Sequence, residues 1–236
     1  MTKRLLSTVL YDIRLQFRQG FYYASGFVAV VMVLLLRQIS GVDMSVLWPA
    51  IIMSNLTINS FYFMAGLVLL EKGEGTLEAQ IVTPLRKSEY LISKVLTLGL
   101  LSLIETVALV LLVSGFSFNW LWMLVGIILL IGIYALYGFW VVARYDSINE
   151  FIFPSVAWTL LYSLPLLHYF NIWPTPLMYL HPIQPQLVLL KAAFVPVPGW
   201  EIVYGLVYSL VVLGVTFYFS QRAFYRFVVR KEGVRA

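Results

Sequence analysis

The chain has 236 residues, of which 61% are hydrophobic and only 11% are charged. Soluble domains carry roughly twice that share of charge, so the composition excludes a soluble globular protein and predicts an integral membrane protein. Without cysteine the chain has no disulfides, zinc-thiolate sites or thiol nucleophiles, and the net charge of +5 is spread over loops rather than gathered into a stripe that would bind nucleic acid.

Residues 1–20 are predicted to form an amphipathic helix that lies in the membrane interface. Apolar side chains recur every four residues, at Leu5, Val9, Ile13 and Phe17. Arg14 and Arg18 form a separate polar stripe that would face anionic headgroups. The alternative is that this helix simply extends the first span into the cytoplasm.

Six apolar segments follow, each close to the roughly 20 residues that a membrane-spanning helix needs. They are residues 21–36, 46–70, 95–113, 120–143, 151–170 and 202–220. Of the 16 lysines and arginines, all but Arg37 and Lys191 fall at the end of the spans that holds both chain termini. Because short cytoplasmic loops collect basic residues, the pattern predicts cytoplasmic termini, including a basic tail at 221–236.

The second span carries unusual polar content. Asn55, Asn59 and Tyr62 are spaced so that a regular helix would place them on one face. Polar side chains in this position either hold helices together or line a transport pathway, and both readings stay open.

Residues 71–90 are the longest polar stretch between spans. Gly73 and Gly75 are expected to end the helix that leaves the membrane, Thr76 to begin a short helix with Leu77 on its apolar face, and Thr83-Pro84 to end it. The glycines do not form a phosphate-binding loop, since the required Gly-Lys-Ser/Thr sequence is absent. The segment is therefore predicted to be a short amphipathic helix across the ends of two spans, with an ordinary loop as the alternative.

Glu105 is predicted to be the one acidic side chain at bilayer depth, without a basic partner in another span. An intramembrane carboxylate indicates either a substrate or gating contact or a structural hydrogen bond between helices. In the fourth span, Gly126, Gly132 and Gly138 are expected to allow close packing. No arrangement of catalytic or metal-ligating residues is recognisable within the spans.

Residues 171–200 are rich in proline yet strongly apolar. Its prolines would interrupt a straight spanning helix, and its apolar side chains are not typical of a loop in water. Two short helices that dip into the outer leaflet and return would satisfy both observations, provided that they pack on protein. The sequence thus predicts an all-α integral membrane protein that forms a single transmembrane domain over 1–236.

Taken together, these segments resemble the membrane subunits of ABC-type exporters of the second permease class. The likeness rests on residues 69–78, which include Gly75-Thr76-Leu77-Glu78, on 82–85 with Thr83-Pro84-Leu85, and on 89–94. Residues 143–150, 171–174 and 179–185 further resemble permeases for fluoroquinolone export. The resemblance implies an N-terminal amphipathic helix, a cytoplasmic coupling helix and outer-leaflet re-entrant helices, in the inner (cytoplasmic) membrane.

The resemblance also implies partners and residue roles. A separate ABC ATPase subunit would bind ATP and Mg, and this chain would be a transport subunit that binds no cofactor and is not an enzyme. It would pair with a second permease, identical or homologous, within membrane lipid.

The resemblance assigns the coupling to the ATPase to one set of residues: Glu71, Gly73, Glu74, Gly75, Thr76, Leu77, Glu78, Thr83, Pro84 and Leu85. Of these, Glu71, Glu74 and Glu78 would meet basic partners on the ATPase. Asn55, Asn59, Tyr62 and Glu105 are the candidates for the path of a small-molecule substrate.

Amphipathic drugs or other hydrophobic small molecules are the expected substrates. The alternatives are a lipid or glycan exporter of the same class, an ion-coupled secondary transporter, and a scaffold subunit that transports nothing. Transport that persists without ATP but collapses with a proton uncoupler would favour the secondary transporter.

Overall fold

The computed structural model describes residues 2–39, 41–77 and 87–229, and within these ranges the chain is helical with no strands. The α-helices are α1 Thr2–Arg18, α2 Phe21–Gln38, α3 Met44–Leu56, α4 Phe63–Gly73, α5 Lys87–Ser114, α6 Trp120–Val142, α7 Ile148–Tyr169, α8 Gln184–Phe194 and α9 Gly199–Ala223. Two π-helical turns, Thr57–Tyr62 and Phe224–Val229, and a 3-10 helix at Pro176–Leu180 complete them.

Five helical stretches in the described ranges are long and apolar enough to cross a membrane. The first is Met44–Gly73, in which α3, the π-helical turn and α4 run on without a break, and the others are α5, α6, α7 and α9. The bent pair of α1 and α2 supplies a sixth span if it is counted as one. The all-α membrane fold predicted from the sequence is confirmed.

The N-terminal helix is not a straight extension of the first span. Gly20 adopts a left-handed φ of 84°, and α1 and α2 meet at an angle of 62°. On α1 the side chains that turn inward are Asp12, Leu15 and Gln16, all buried, while Arg14 stays exposed. The apolar side chains at every fourth residue predicted this helix but not its buried polar face.

The sixth helix, α6, lies at the centre of the bundle and packs on α4, α5, α8 and α9. Its glycines permit this packing, as predicted. A Cβ at Gly138 would lie 2.7 Å from the Phe61 carbonyl oxygen, and one at Gly126 would lie 2.9 Å from Leu190. Close helix contacts through small residues are the usual way in which membrane helices associate.

A layer of aromatic rings joins α7 to this core. Tyr162 of α7 packs edge-on against Phe61 and Tyr137, with ring centroids 5.7 and 4.5 Å apart, and Trp158 lies 5.8 Å from Trp140. Large side chains therefore separate α7 from the bundle, and most of the helix remains uncovered within the chain.

Between α7 and α9 the chain folds back into the bundle. The 3-10 helix brings Leu180 beside α9, where its carbonyl accepts a hydrogen bond from Tyr208 at 2.7 Å. Helix α8 follows and is buried among α3, α6 and α9. It ends at Phe194, whose ring stacks on that of Trp48. Its 11 residues span only about 16 Å, roughly half of a bilayer core.

Candidate functional site

Helix α4 ends in a turn, and the segment predicted to couple to an ATPase begins there. The helix finishes at Gly73, the N–H of Glu74 donates to the Leu70 carbonyl at 2.9 Å, and Gly75 takes a left-handed φ of 68°. Glycine tolerates this conformation without steric cost. Thr76 donates to the Glu71 carbonyl at 3.2 Å, and the Leu77 side chain is buried. Glu78, Thr83, Pro84 and Leu85 lie outside the described residues.

Two contacts, one exposed and one partly buried, tie this segment to other parts of the bundle. Glu74 accepts a hydrogen bond from Gln19 at 2.6 Å and lies 3.7 Å from Arg18, both at the end of α1. Lys72 donates to the carbonyls of Ala143 and Tyr145 at 2.9 and 2.7 Å, in the turn between α6 and α7. These carbonyls end a helix, where a cation is electrostatically favoured.

A third contact is a buried charge cluster formed by Asp12, Glu71 and Lys94. The ammonium of Lys94 lies 2.6 Å from Asp12 of α1 and also contacts the carboxylate of Glu71 in α4. All three side chains are buried, and Tyr90 donates a further hydrogen bond to Glu71 at 2.7 Å. Removing Lys94 would leave two buried carboxylates without their counter-charge, so this ammonium group holds α1, α4 and α5 together.

The charge cluster bears on two sequence-based interpretations. Glu105 shares its burial within the protein with other acidic side chains, because Asp12 and Glu71 are buried as well. The expected pairing of Glu71 with a basic group on another subunit is wrong, because Lys94 occupies that position. The sequence does contain a signal for this: Asp12 and Gln16 fall on one face of α1, and Ser93, Lys94 and Thr97 on one face of α5. Gln16 donates to Thr97 at 2.7 Å.

A second polar site lies between α3 and α5. One carboxylate oxygen of Glu105, Oε2, accepts hydrogen bonds from the side-chain amides of Asn55 and Asn59 at 2.6 and 2.9 Å. The other oxygen, Oε1, is buried without a hydrogen bond, and so is the amide oxygen of Asn59. The structure thus brings together Asn55, Asn59 and Glu105, three of the four residues predicted to line a substrate path. Two oxygen atoms in this group, Oε1 of Glu105 and Oδ1 of Asn59, accept no hydrogen bond.

Tyr62 does not belong to this group. Its hydroxyl lies 2.8 Å from that of Thr159 in α7. The π-helical turn at Thr57–Tyr62 explains the difference, because it has more residues per turn than an α-helix and rotates Tyr62 away from the face of Asn55 and Asn59. π-Helical turns inside α-helices are frequent at functional sites.

Comparison with known proteins identifies the family of this chain. The family model for fluoroquinolones export permease proteins matches residues 3–232. The chain belongs to the fluoroquinolone export permease family. Proteins named fluoroquinolones export permease in two strains of Mycobacterium tuberculosis, CDC 1551 / Oshkosh and H37Rv, are each 31% identical to it over 234 residues, which cover 98% of this chain and 99% of theirs. The predicted resemblance to such permeases is confirmed, and this export permease is a membrane transport protein.

Proposed function

We propose that this permease is the membrane subunit of an ATP-driven exporter that moves amphipathic drugs or other hydrophobic small molecules out of the cell. The observation that supports this most directly is the attachment of residues 71–77 to α1, α5 and the α6–α7 turn. A displacement of this segment by a partner protein would reach three parts of the bundle at once. That is what mechanical coupling requires.

A separate ABC ATPase subunit would supply the energy, with ATP and Mg bound on that subunit. In this proposal the ATPase contacts residues 71–90 from the cytoplasm, the chain termini are cytoplasmic, and the complex lies in the inner membrane. Glu74 is exposed and can meet a basic partner, whereas Glu71 acts within the chain through Lys94. A second permease, identical or homologous, would complete the transport path.

The substrate path would pass the site formed by Asn55, Asn59 and Glu105. Buried ionisable groups in membrane spans commonly mark substrate or ion pathways. Oε1 of Glu105 and the amide oxygen of Asn59 accept no hydrogen bond within the protein. A hydrogen-bond donor on a substrate could bind to them. Tyr62 would contribute through its contact with α7, which is held to the core mainly by aromatic rings.

The coupling role is tested by separating ATP hydrolysis from transport. We expect that Glu74→Ala, Thr76→Val or Leu77→Ala lowers ATP-driven drug export roughly tenfold, while the ATPase subunit still hydrolyses ATP, because substitutions along a coupling element change the coupling free energy by about 0.5–2 kcal/mol. ATPase activity and drug uptake would be measured on the same inverted vesicles.

Glu201→Gln is the matched control, since this acidic residue contacts Tyr179 at the opposite end of the bundle. Its export should equal that of the parent. Full ATP-driven export by all three segment variants, with normal membrane insertion, would refute the coupling role.

An ion-coupled secondary transporter is the second candidate. The observation in its favour is the surplus of buried carboxylates over ammonium groups, with Asp12, Glu71 and Glu105 set against Lys94. Chains of buried carboxylates serve as proton relays in some transporters. Dependence of export on ATP or on a proton gradient distinguishes the two candidates.

A further inference from the structure

Two adjoining cavities run along the outside of the bundle between α6 and α9. The first, of about 450 Å³, is lined by three arginines, Arg144, Arg222 and Arg226. The second, of about 360 Å³, is apolar and lined chiefly by Tyr137, Val211, Val212 and Val215. Trp140 and Phe219 line both cavities, so the two form one groove with a basic end and an apolar body.

The basic end of the groove carries uncompensated positive charge. Arg144 stacks over the ring of Trp140 at 4.8 Å, and Arg226 over that of Phe227 at 5.3 Å. Within the described ranges, no acidic side chain lines this cavity and none of its three arginines forms an ion pair. Guanidinium groups arranged in this way match the oxygens of a phosphate, which they bind by paired hydrogen bonds.

The apolar body of the groove has the depth of one membrane leaflet. Along α9 it extends from Tyr208 to Phe219, a rise of about 16 Å. Half of a bilayer's hydrocarbon core is roughly 15 Å thick. Arg222 and Arg226 follow Phe219 by about one and two turns, at the end of α9 and in the π-helical turn after it, where the span ends. Arg144 reaches the same cavity from the end of α6.

We infer that this groove binds an anionic phospholipid of the surrounding membrane. Its phosphate lies among Arg144, Arg222 and Arg226, and one acyl chain lies in the apolar body against α6 and α9. Charge complementarity selects an anionic headgroup, and the continuity of the two cavities selects a lipid over a free phosphate ion. Basic pockets between membrane helices bind anionic headgroups in this manner. The inference concerns a site apart from the charge cluster and from Glu105, and it does not depend on the proposed function.

Lipid binding to the full chain, purified in a neutral detergent, tests the inference. Native mass spectrometry with a titration of lipid would count bound molecules, and thermal unfolding would report stabilisation. We expect phosphatidylglycerol to bind at least about tenfold more tightly than phosphatidylcholine, since each basic group near the headgroups contributes measurably to binding. Inorganic phosphate should give no stabilisation at the same concentrations.

Three variants make the test specific. The triple variant Arg144→Gln/Arg222→Gln/Arg226→Gln should lose the preference for phosphatidylglycerol. Val215→Trp, which fills the apolar body without touching the arginines, should weaken phosphatidylglycerol binding as well. Arg37→Gln removes an exposed arginine at the far end of α2, beside Leu112 and away from the groove, and should bind like the parent.

The inference is overturned if phosphatidylglycerol binds equally to the parent and to Val215→Trp, whether or not the triple variant folds. It is also overturned if inorganic phosphate stabilises the protein as strongly as the lipid does, which would assign the arginines to a soluble anion. Retained preference for phosphatidylglycerol in a folded triple variant would place the lipid elsewhere on the surface.

Discussion

The two carboxylate oxygens of Glu105 differ in their contacts. Its Oε2 joins α3 to α5 through Asn55 and Asn59, which is a structural contact. Its Oε1 is buried without any hydrogen bond. A buried polar atom in this state costs free energy, and such atoms are uncommon in native structures unless they serve a purpose. Two substitutions of Glu105 test the contributions of these oxygens separately.

Glu105→Gln keeps one oxygen to accept from both asparagines but removes the charge. We expect this variant to fold with little loss of stability and to export drug roughly tenfold more slowly, because a hydrogen bond to a charged group is worth about 1.5–3 kcal/mol. Drug uptake for several substrates would be compared with the melting temperature of the same samples.

Glu105→Leu is the contrasting variant. It removes the carboxylate that accepts from both amides, leaving Asn55 with Thr106 at 3.1 Å and Asn59 with a longer contact to Asn55 at 3.4 Å. The free energy of unfolding should therefore fall by about 1–3 kcal/mol. If Glu105→Gln leaves both export and substrate preference unchanged, then Glu105 has only the structural role.

Single residues also mark where sequence analysis reached its limit. Glu105 and the two asparagines were identifiable because polar residues are conspicuous inside apolar spans. The pairing within the charge cluster was not, since the sequence shows the polar faces of α1 and α5 only separately. The packing of α1 on α5 brings Asp12 and Lys94 together. Pairing between helices distant in sequence is not encoded in local periodicity.

At the scale of helices, hydropathy predicted the spans well but not their internal breaks. The apolar stretches matched the observed helices to within several residues, because the bilayer sets a minimum length. The π-helical turn at Thr57–Tyr62 left no periodic signal. The bend at Gly20, in contrast, falls at the predicted boundary between the N-terminal helix and the first span. The return of α8 into the bundle followed from a different argument: an apolar segment rich in proline must be covered by protein.

The contact between α6 and the π-helical turn depends on Gly138. A Cβ there would lie 2.7 Å from the Phe61 carbonyl oxygen, which is backbone and cannot rotate away. We expect Gly138→Ala to destabilise the protein by about 1–3 kcal/mol through overpacking. The melting temperature in detergent would measure this.

Gly214→Ala provides the comparison, because nothing lies within 4 Å of a Cβ at that position on α9. That substitution should be neutral or slightly stabilising, since alanine favours helix more than glycine does. Equal melting temperatures for the two variants would show that the close approach of α6 to Phe61 does not contribute to stability.

At the scale of the molecule, α7 and α9 are among the helices that are largely uncovered within one chain. In α7 and α9 only 22% of the apolar stretch is buried, against 78% in α6. Membrane lipid, including the lipid inferred for the α6–α9 groove, and a second permease are the partners proposed for these surfaces. Neither the substrate nor the pairing of subunits can be read from one sequence, because both depend on surfaces contributed by other molecules.

Dependence on a separate ATPase is the property that distinguishes an ATP-driven exporter from the alternatives. Drug uptake into inverted vesicles that contain the purified permease, with and without an ABC ATPase partner, measures it. We expect uptake only when both the partner and ATP are present, and no effect of a proton uncoupler. Uptake that proceeds without ATP and collapses when the uncoupler is added would contradict it.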